Sequence, residues 1–208
     1  MLEAIGRKFA RLTTNAVVRR PGLWRLFRGL MRRQFDAIAP RWDAMRLPDT
    51  LAPLEAGLSE VERSPARALD LGTGTGIGAR AIAERFPEAE VVGADLSERM
   101  LVEARRLLPQ ELASRVRFEV ADASALPYED GGFELVTLSN MIPFFDEIER
   151  VLAPGGSVVI AFSGGAGTPI YVPTDRLRRE FEERGFADFA EFGAGRGTAF
   201  LARKPKGI

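Results

Sequence analysis

The chain of 208 residues contains neither cysteine nor histidine. Without cysteine it can form no disulfide, no thiolate zinc site and no cysteine nucleophile. Without histidine it has no imidazole base and no histidine metal ligand, so a metal would need oxygen ligands alone. These two absences exclude much of hydrolase chemistry, and we predict no metal site.

Long apolar runs are missing as well. The first twenty residues carry no apolar stretch of signal-peptide length between their charges. No segment approaches the ~20 consecutive apolar residues that span a bilayer. We therefore expect no transmembrane segment and a cytoplasmic location.

Charge is balanced over the whole chain but unevenly placed. Residues 1–50 hold eleven basic and four acidic residues, whereas the remainder is acidic. Such a basic segment could contact an anionic substrate, nucleic acid or a membrane surface. We favour a helical extension with solvated arginines, leave weak membrane-surface contact open, and expect no nucleic acid because the overall charge is zero.

Residues 1–64, which we call the leader, have helical patterns. Pro21 suits the first turn of a helix, and a further helical stretch covers about 50–62. Large apolar residues recur at helical spacing and form one stripe: Trp24, Phe27, Met31 and Phe35. An arginine stripe runs beside them: Arg25, Arg28 and Arg32. The leader is predicted to be an extension to a core of residues 65–208.

From Ala66 onward, short apolar runs alternate with helical patterns, which is typical of βαβ units and a parallel sheet. The predicted strands are 66–71, 90–95, 115–120, 133–138, 157–162, 186–192 and 198–203. The predicted helices are near 76–86, 97–107, 144–152 and 174–184. Glycines between the last two strands favour an antiparallel pair. The fold class is therefore α/β.

The segment Ala68-Leu-Asp-Leu-Gly-Thr-Gly-Thr-Gly-Ile-Gly78 passes from an apolar strand through a glycine-dense turn into a helix. Glycines permit the tight turn and let a ligand approach the backbone closely. Gly74-x-Gly76-x-x-Ala79 also satisfies the dinucleotide fingerprint, but that fingerprint starts at the end of the strand, and read from Gly72 it fails. Ligand binding is favoured over a plain glycine turn.

Two later strands end in acids. Asp95 follows Val91-Val-Gly-Ala and can accept both hydroxyls of a ribose, although it could instead cap the next helix. Asp122 follows the third strand and can accept from an adenine amine, although a turn aspartate would look the same. Nicotinamide enzymes have no general need for this third acid.

Taken together, the D-L-G-T-G-T-G loop, the G-A-D-L-S-x-x-M-L block, the A-D-A-x-x-L-P-Y turn and V-L-A-P-G-G resemble the Rossmann-like (class I) S-adenosylmethionine-dependent methyltransferases. The resemblance covers about residues 66–203. It implies a seven-stranded mixed sheet of order 3-2-1-4-5-7-6, with strand seven antiparallel and helices on both faces. The leader segment 34–43 is similar to the same stretch in small-molecule members, including quinone-biosynthesis methyltransferases.

The resemblance also implies roles for individual residues. S-adenosylmethionine would be the cofactor, with its ribose at Asp95. The methionine part would meet Asp70 and the loop residues Gly72, Thr73, Gly74 and Gly76. Leu96 and Met100 would pack on adenine, with Asp122 and Ala123 at its polar edge. Ser139 or Asn140 would lie near the sulfonium.

One departure concerns the acceptor. Many relatives carry a longer segment with a histidine pair after strand four, where this chain has only residues 140–150. We predict that residues 20–46 form a lid over the acceptor side. The predicted acceptor-lining residues are Phe35, Trp42, Met141 and Phe144.

The implied reaction is in-line methyl transfer to a small molecule, in which the protein aligns and desolvates the reactants. If a base is needed, the candidates are Asp43, Glu147, Tyr128 and Tyr171, and no catalytic residue is assigned. Two other functions stay open, a non-catalytic protein that binds the cofactor or its demethylated product and a nicotinamide-dependent oxidoreductase. The sequence assigns neither the accepting atom nor the oligomeric state.

Overall fold

A computed structural model describes residues 2–46 and 48–207, and of residues 2–7 it describes the backbone only. The α-helices are α1 (Leu2–Arg19), α2 (Trp24–Ile38), α3 (Ala52–Ser59), α4 (Ile77–Arg85), α5 (Glu98–Leu107), α6 (Phe145–Val151) and α7 (Thr174–Glu182). The strands are β1 (Arg67–Leu71), β2 (Glu90–Asp95), β3 (Val116–Val120), β4 (Phe133–Ser139), β5 (Leu152–Phe162), β6 (Ala187–Ala194) and β7 (Gly197–Arg203). Short 3₁₀ turns are Pro21–Leu23, Ala39–Arg41, Asp43–Met45, Gln110–Leu112 and Gly165–Gly167.

The strands form one sheet of order β3-β2-β1-β4-β5-β7-β6. The first five strands pair in parallel, and β7 runs antiparallel to both β5 and β6. The predicted order and the C-terminal antiparallel pair are therefore confirmed. Because the parallel strands share a direction, their carboxyl ends meet along one edge of the sheet, where open α/β sheets bind ligands.

The two faces of the sheet bury alternating side chains of the same strands. On one face, Leu69 and Val136 pack with apolar residues of α6 and α7 and with Val17 of α1. On the other, Ala68 and Leu135 pack with α3, α4 and α5. Helices therefore cover both faces, as predicted.

Several strands and helices begin or end at residues other than those predicted. The predicted strand 157–162 is the second half of β5, because Leu152 already pairs with Phe133 before an irregularity in the register. The third leader helix is only Ala52–Ser59 rather than 50–62, with Pro53 in its first turn. It packs on β5 and β7 through Leu54 and Leu58, so this part of the leader contributes to the core.

The division into 1–64 and 65–208 stays a prediction, and Met1, Leu47 and Ile208 lie outside the described residues. Within residues 2–46 and 48–207, no helix is both long and apolar enough to cross a membrane.

Candidate cofactor site

The loop from β1 to α4 has the backbone of a ligand-binding turn. Gly72, Gly74 and Gly76 have φ values of 67°, 55° and 80°, a region that side chains disfavour. The Gly72 amide donates to the Ala94 carbonyl at 2.8 Å, and the Gly76 amide donates to the Thr73 carbonyl at 2.9 Å. These bonds fold the loop tightly against the tip of β2.

Asp70 lies beneath this loop and is only 2% exposed. Its carboxylate accepts hydrogen bonds from the hydroxyls of Thr73 at 2.6 Å and Thr137 at 2.7 Å. Burial raises the pKa of Asp70 to about 6, although these hydrogen bonds act in the opposite direction. A side chain at Gly78 would stand 2.6 Å from the same carboxylate. Asp70 and the Thr73 hydroxyl therefore brace the loop from inside the protein.

Asp95 stands at the tip of β2 beside the loop. Its carboxylate accepts from the Gly74 amide at 2.9 Å and from the Ser97 amide at 2.8 Å. Burial raises the pKa of Asp95, against the pull of these backbone hydrogen bonds. Each carboxylate oxygen has more than one acceptor site, so capacity remains for the two hydroxyls of a ribose. The cap and the ribose role are therefore compatible.

Helix α5 begins next to Asp95 and presents the two residues predicted to flank adenine. The Ser97 hydroxyl caps the helix by accepting from the Met100 amide at 3.1 Å. The same hydroxyl donates to Asp36 of the leader at 2.6 Å. Met100 is buried and Leu96 half-buried, so the adenine role of this pair stays a prediction.

Asp122, after β3, is already engaged by the leader. One carboxylate oxygen accepts from the Trp24 indole at 2.8 Å and from the Ser124 amide and hydroxyl, and the other meets Arg28 at 3.2 Å. Burial alone would raise the pKa of Asp122, but these bonds hold it below its ordinary value. Its neighbour Ala123 is buried in the core.

At the tip of β4, Ser139 and Asn140 differ. The Ser139 hydroxyl is buried and has no hydrogen-bond partner in the part of the chain that the structure describes. Asn140, with a φ of 51°, accepts from the Ser163 amide at 2.9 Å and donates to its hydroxyl. Asn140 thus ties β4 to the end of β5, whereas Ser139 has unused capacity toward a ligand, which fits a polar cofactor at this edge.

The leader crosses the same edge of the sheet. Trp42 packs edge-on to Phe35 with ring centroids 5.7 Å apart, and its indole nitrogen lies 3.5 Å from where a side chain on Gly74 would begin. Asp43 accepts from the Thr75 hydroxyl. Trp42 therefore lies beside the glycine loop, and the role of residues 20–46 as a lid over the acceptor side stays a prediction.

The segment after β4 joins this edge to the leader. Met141 covers Gly72, since its sulfur lies 2.7 Å from where a side chain on that glycine would begin. Phe144 is buried and packs edge-on against Trp24 with centroids 5.5 Å apart. Met141 therefore lies at the cofactor loop and Phe144 against the leader, and their acceptor-lining role stays a prediction.

Each of the four candidate bases already contacts another side chain of the protein. The Arg150 guanidinium lowers the pKa of Glu147. Burial and a neighbouring carboxylate raise the pKa of Tyr128. Asp43 is bonded to Thr75 and Arg46, and Tyr171 packs on a phenylalanine ring. No cluster of metal-ligating side chains occurs among the described residues.

Sequence reasoning missed the bonds between the leader and the core. Trp24 reaches Asp122 across 98 residues, and Asp36 reaches Ser97 across 61. Their spacing and residue types do not distinguish them from ordinary helix residues, so no local signal could have found them.

Residues 68–156 match the protein family described as "Methyltransferase domain". The chain is 44% identical over 138 residues to a demethylmenaquinone methyltransferase of Thermus thermophilus, covering 61% of this chain and 62% of that protein. It is 38% identical to a malonyl-[acyl-carrier protein] O-methyltransferase of Halorhodospira halophila, covering 66% and 49%. Residues 68–156 are thus similar to a methyltransferase domain, and the sheet has the strand order expected from the resemblance to class I S-adenosylmethionine-dependent methyltransferases.

A solved structure has the same fold. It is the Haemonchus contortus phosphoethanolamine N-methyltransferase 2 in complex with S-adenosyl-L-methionine, with a TM-score of 0.65 and 19% identity, covering 82% of this chain and 57% of that one. The chain spans about half to three fifths of the length of several curated relatives that it matches.

Proposed function

We propose that the protein transfers a methyl group from S-adenosylmethionine to a small-molecule acceptor. The observation that carries this proposal is the convergence of the glycine loop, Asp95, Asp122 and the Ser139 hydroxyl, which has no partner among the described residues, on one edge of the sheet. Names of relatives support it, since they include a demethylmenaquinone and a malonyl-[acyl-carrier protein] methyltransferase.

Each of these residues has a defined task. The glycine loop from Gly72 to Gly76 lets the methionine part approach its backbone closely, and Asp95 holds the ribose through its remaining acceptor capacity. Leu96 and Met100 flank adenine, while Asp122 and Ala123 meet its polar edge. Ser139 supplies a buried hydroxyl next to the reacting end.

When bound, S-adenosylmethionine supplies an electrophilic methyl group on a good leaving group. The protein therefore needs chiefly to align the acceptor and exclude water. Met141 and Trp42 shield the loop from solvent. Because the candidate bases are all engaged in bonds or packing, an acceptor that attacks without losing a proton to the protein fits this site best.

Release of S-adenosylhomocysteine over a panel of small acceptors tests the proposal, with calorimetric binding of the cofactor measured in parallel. We expect binding together with turnover on at least one acceptor. Binding without turnover on any acceptor would favour a non-catalytic cofactor-binding protein. Binding of a nicotinamide nucleotide instead of S-adenosylmethionine would overturn the proposal.

A further inference from the structure

A cleft of about 470 Å³ lies between the leader and helices α6 and α7. Arginines dominate its lining: Arg19, Arg25, Arg28, Arg176 and Arg184. Trp24 and Phe144 contribute aromatic walls. Five cations around one concave space make it the strongest basic feature beyond the site described above.

The acidic side chains that line the cleft all form ion pairs with arginines. Asp146 pairs with Arg184 at 2.6 Å. Glu180 pairs with Arg176 at 3.2 Å and also with Arg184. Glu147 is held by Arg150, which lies outside the lining. Every lining carboxylate therefore has an arginine partner, and Arg176 and Arg184 are the two lining arginines that these carboxylates occupy.

Among the described residues, no acidic side chain forms an ion pair with Arg19 or Arg25. Neither side chain makes a hydrogen bond or ion pair in the part of the chain that the structure describes. Both are exposed in the cleft mouth, and Arg28 nearby is 56% exposed while touching Asp122. A guanidinium presents its donors in a planar fork that matches phosphate and carboxylate oxygens. Two such forks without acids indicate an anion as ligand.

The cleft is joined to the cofactor edge of the sheet. Trp24 lines the cleft and also donates to Asp122. The segment from Ser139 to Phe144 runs from the tip of β4 into the cleft wall, a chain of five steps that spans at most roughly 18 Å. A single ligand can therefore place one end in the cleft and another near the β4 tip.

We propose that Arg19 and Arg25 bind a phosphate or carboxylate group carried by the methyl acceptor, whose apolar body packs on Trp24. This inference rests on the proposed function for the identity of the ligand. It names the acceptor as an anion, in contrast to an uncharged molecule. The basic excess of the leader serves this binding in addition to keeping its helices solvated.

Phenyl phosphate is the probe, because it joins a planar body to a phosphate, and phenol is its uncharged match. Binding to the full chain is measured by calorimetry without cofactor. Arg19→Gln/Arg25→Gln is compared with Arg32→Gln/Arg33→Gln, which removes the same charge from exposed leader positions outside the cleft. We expect phenyl phosphate binding to weaken about tenfold in the first variant and less than twofold in the second. Phenol should bind detectably to none of the three proteins, the unmodified chain and the two variants.

Equal weakening in both variants, or none in the first, would overturn the site whatever the outcome for methyl transfer. The acceptor assignment has its own measurement. For an anionic acceptor, Arg19→Gln/Arg25→Gln should raise KM about tenfold with kcat little changed. If KM instead rises equally for the uncharged analogue of that acceptor, the two arginines do not bind its charged group, and the assignment of an anionic acceptor is wrong. Phosphate binding requires no turnover, so its result stands apart from failure of the proposed function.

Discussion

Two regions meet at the ligand edge of the sheet, and they are built differently. Around β1 and β2, the site consists of backbone amides and of Asp70 and Asp95, which lie at most five residues from the loop or the next helix. Around β3 and β4, it depends on the leader, whose Trp24 and Arg28 occupy Asp122. The first region takes its loop, Asp70 and Asp95 from one βαβ unit and receives further contacts from Thr137 and the leader, whereas the second holds Asp122 through leader side chains.

This difference has a physical origin. A glycine loop between a buried strand and a helix is forced by sterics and by the need to satisfy buried amides, so it forms wherever that local pattern folds. A bond from Trp24 to Asp122 depends on where a whole helix packs, and that is decided by apolar burial along its length. Each variant below perturbs one region and leaves the other in place.

The largest expected effect is at Asp70. Its pKa is raised to about 6 in the folded protein from an ordinary value of 3.8, so the folded state holds its proton more tightly than the unfolded chain. Stability from this group is therefore present at low pH and lost as pH rises from about 4 through 6, by up to about 3 kcal/mol.

Asp70→Asn should remove that dependence. Urea unfolding at pH 4 and pH 7 measures it, and the drop in unfolding free energy between the two should be smaller in the variant by about 2 kcal/mol. Identical pH profiles for the two proteins would show that Asp70 is not strained by burial.

Asp95→Ala should weaken binding of S-adenosylhomocysteine by about 1–3 kcal/mol, because it removes the acceptor for the ribose hydroxyls. The matched control is Asp175→Ala, an exposed acid at the start of α7. Calorimetry compares the two. If neither variant changes the affinity for S-adenosylhomocysteine, Asp95 does not bind the ribose and is not part of the site.

Gly74→Ala and Gly185→Ala separate loop geometry from general strain. Both glycines have positive φ, 55° and 78°, so an alanine at either should lower the unfolding free energy by about 1–2 kcal/mol. Neither added methyl meets an atom closer than 3.5 Å. Only Gly74→Ala should also weaken cofactor binding, because the Gly74 amide anchors Asp95. Equal cofactor affinity in the two variants would contradict this.

The smallest effect is expected at Trp24. Trp24→Phe keeps an aromatic ring beside Phe144 but removes the donor to Asp122. One oxygen of Asp122 already accepts three hydrogen bonds, so an adenine amine must compete with the indole. The variant should bind S-adenosylhomocysteine two- to tenfold more tightly, equivalent to roughly 0.5–1.5 kcal/mol. Weaker binding would show that Trp24 and the cofactor hold Asp122 together.

Most of the fold could be predicted from the sequence. Strand and helix positions followed from apolar periodicity, and the strand order followed from the family resemblance that the motifs carry. The start of β5 at Leu152 was missed, because the turn Ala153-Pro-Gly-Gly156 does not look like a strand, and only its pairing with β4 makes it one.

The site was predictable to a lesser extent. Asp95 is predicted to hold the ribose from its place at a strand tip, with a helix cap as the alternative, and its amide bonds are compatible with both. Asp70 is expected to meet the methionine part, and this role stays a prediction; in the structure its carboxylate accepts from Thr73 and Thr137. The hydroxyl of Thr137 comes from a strand 67 residues away, so local sequence held no sign of it.

By itself, the sequence determined the glycine loop, the acids at the strand tips and the helical nature of the leader, since each depends on steric and periodic preferences of neighbouring residues. Only the tertiary structure decided that Trp24 takes Asp122, that Trp42 lies over Gly74 and that Arg19 and Arg25 face one cleft. These contacts join segments far apart in the chain, and their geometry follows from how whole helices bury apolar faces on the sheet.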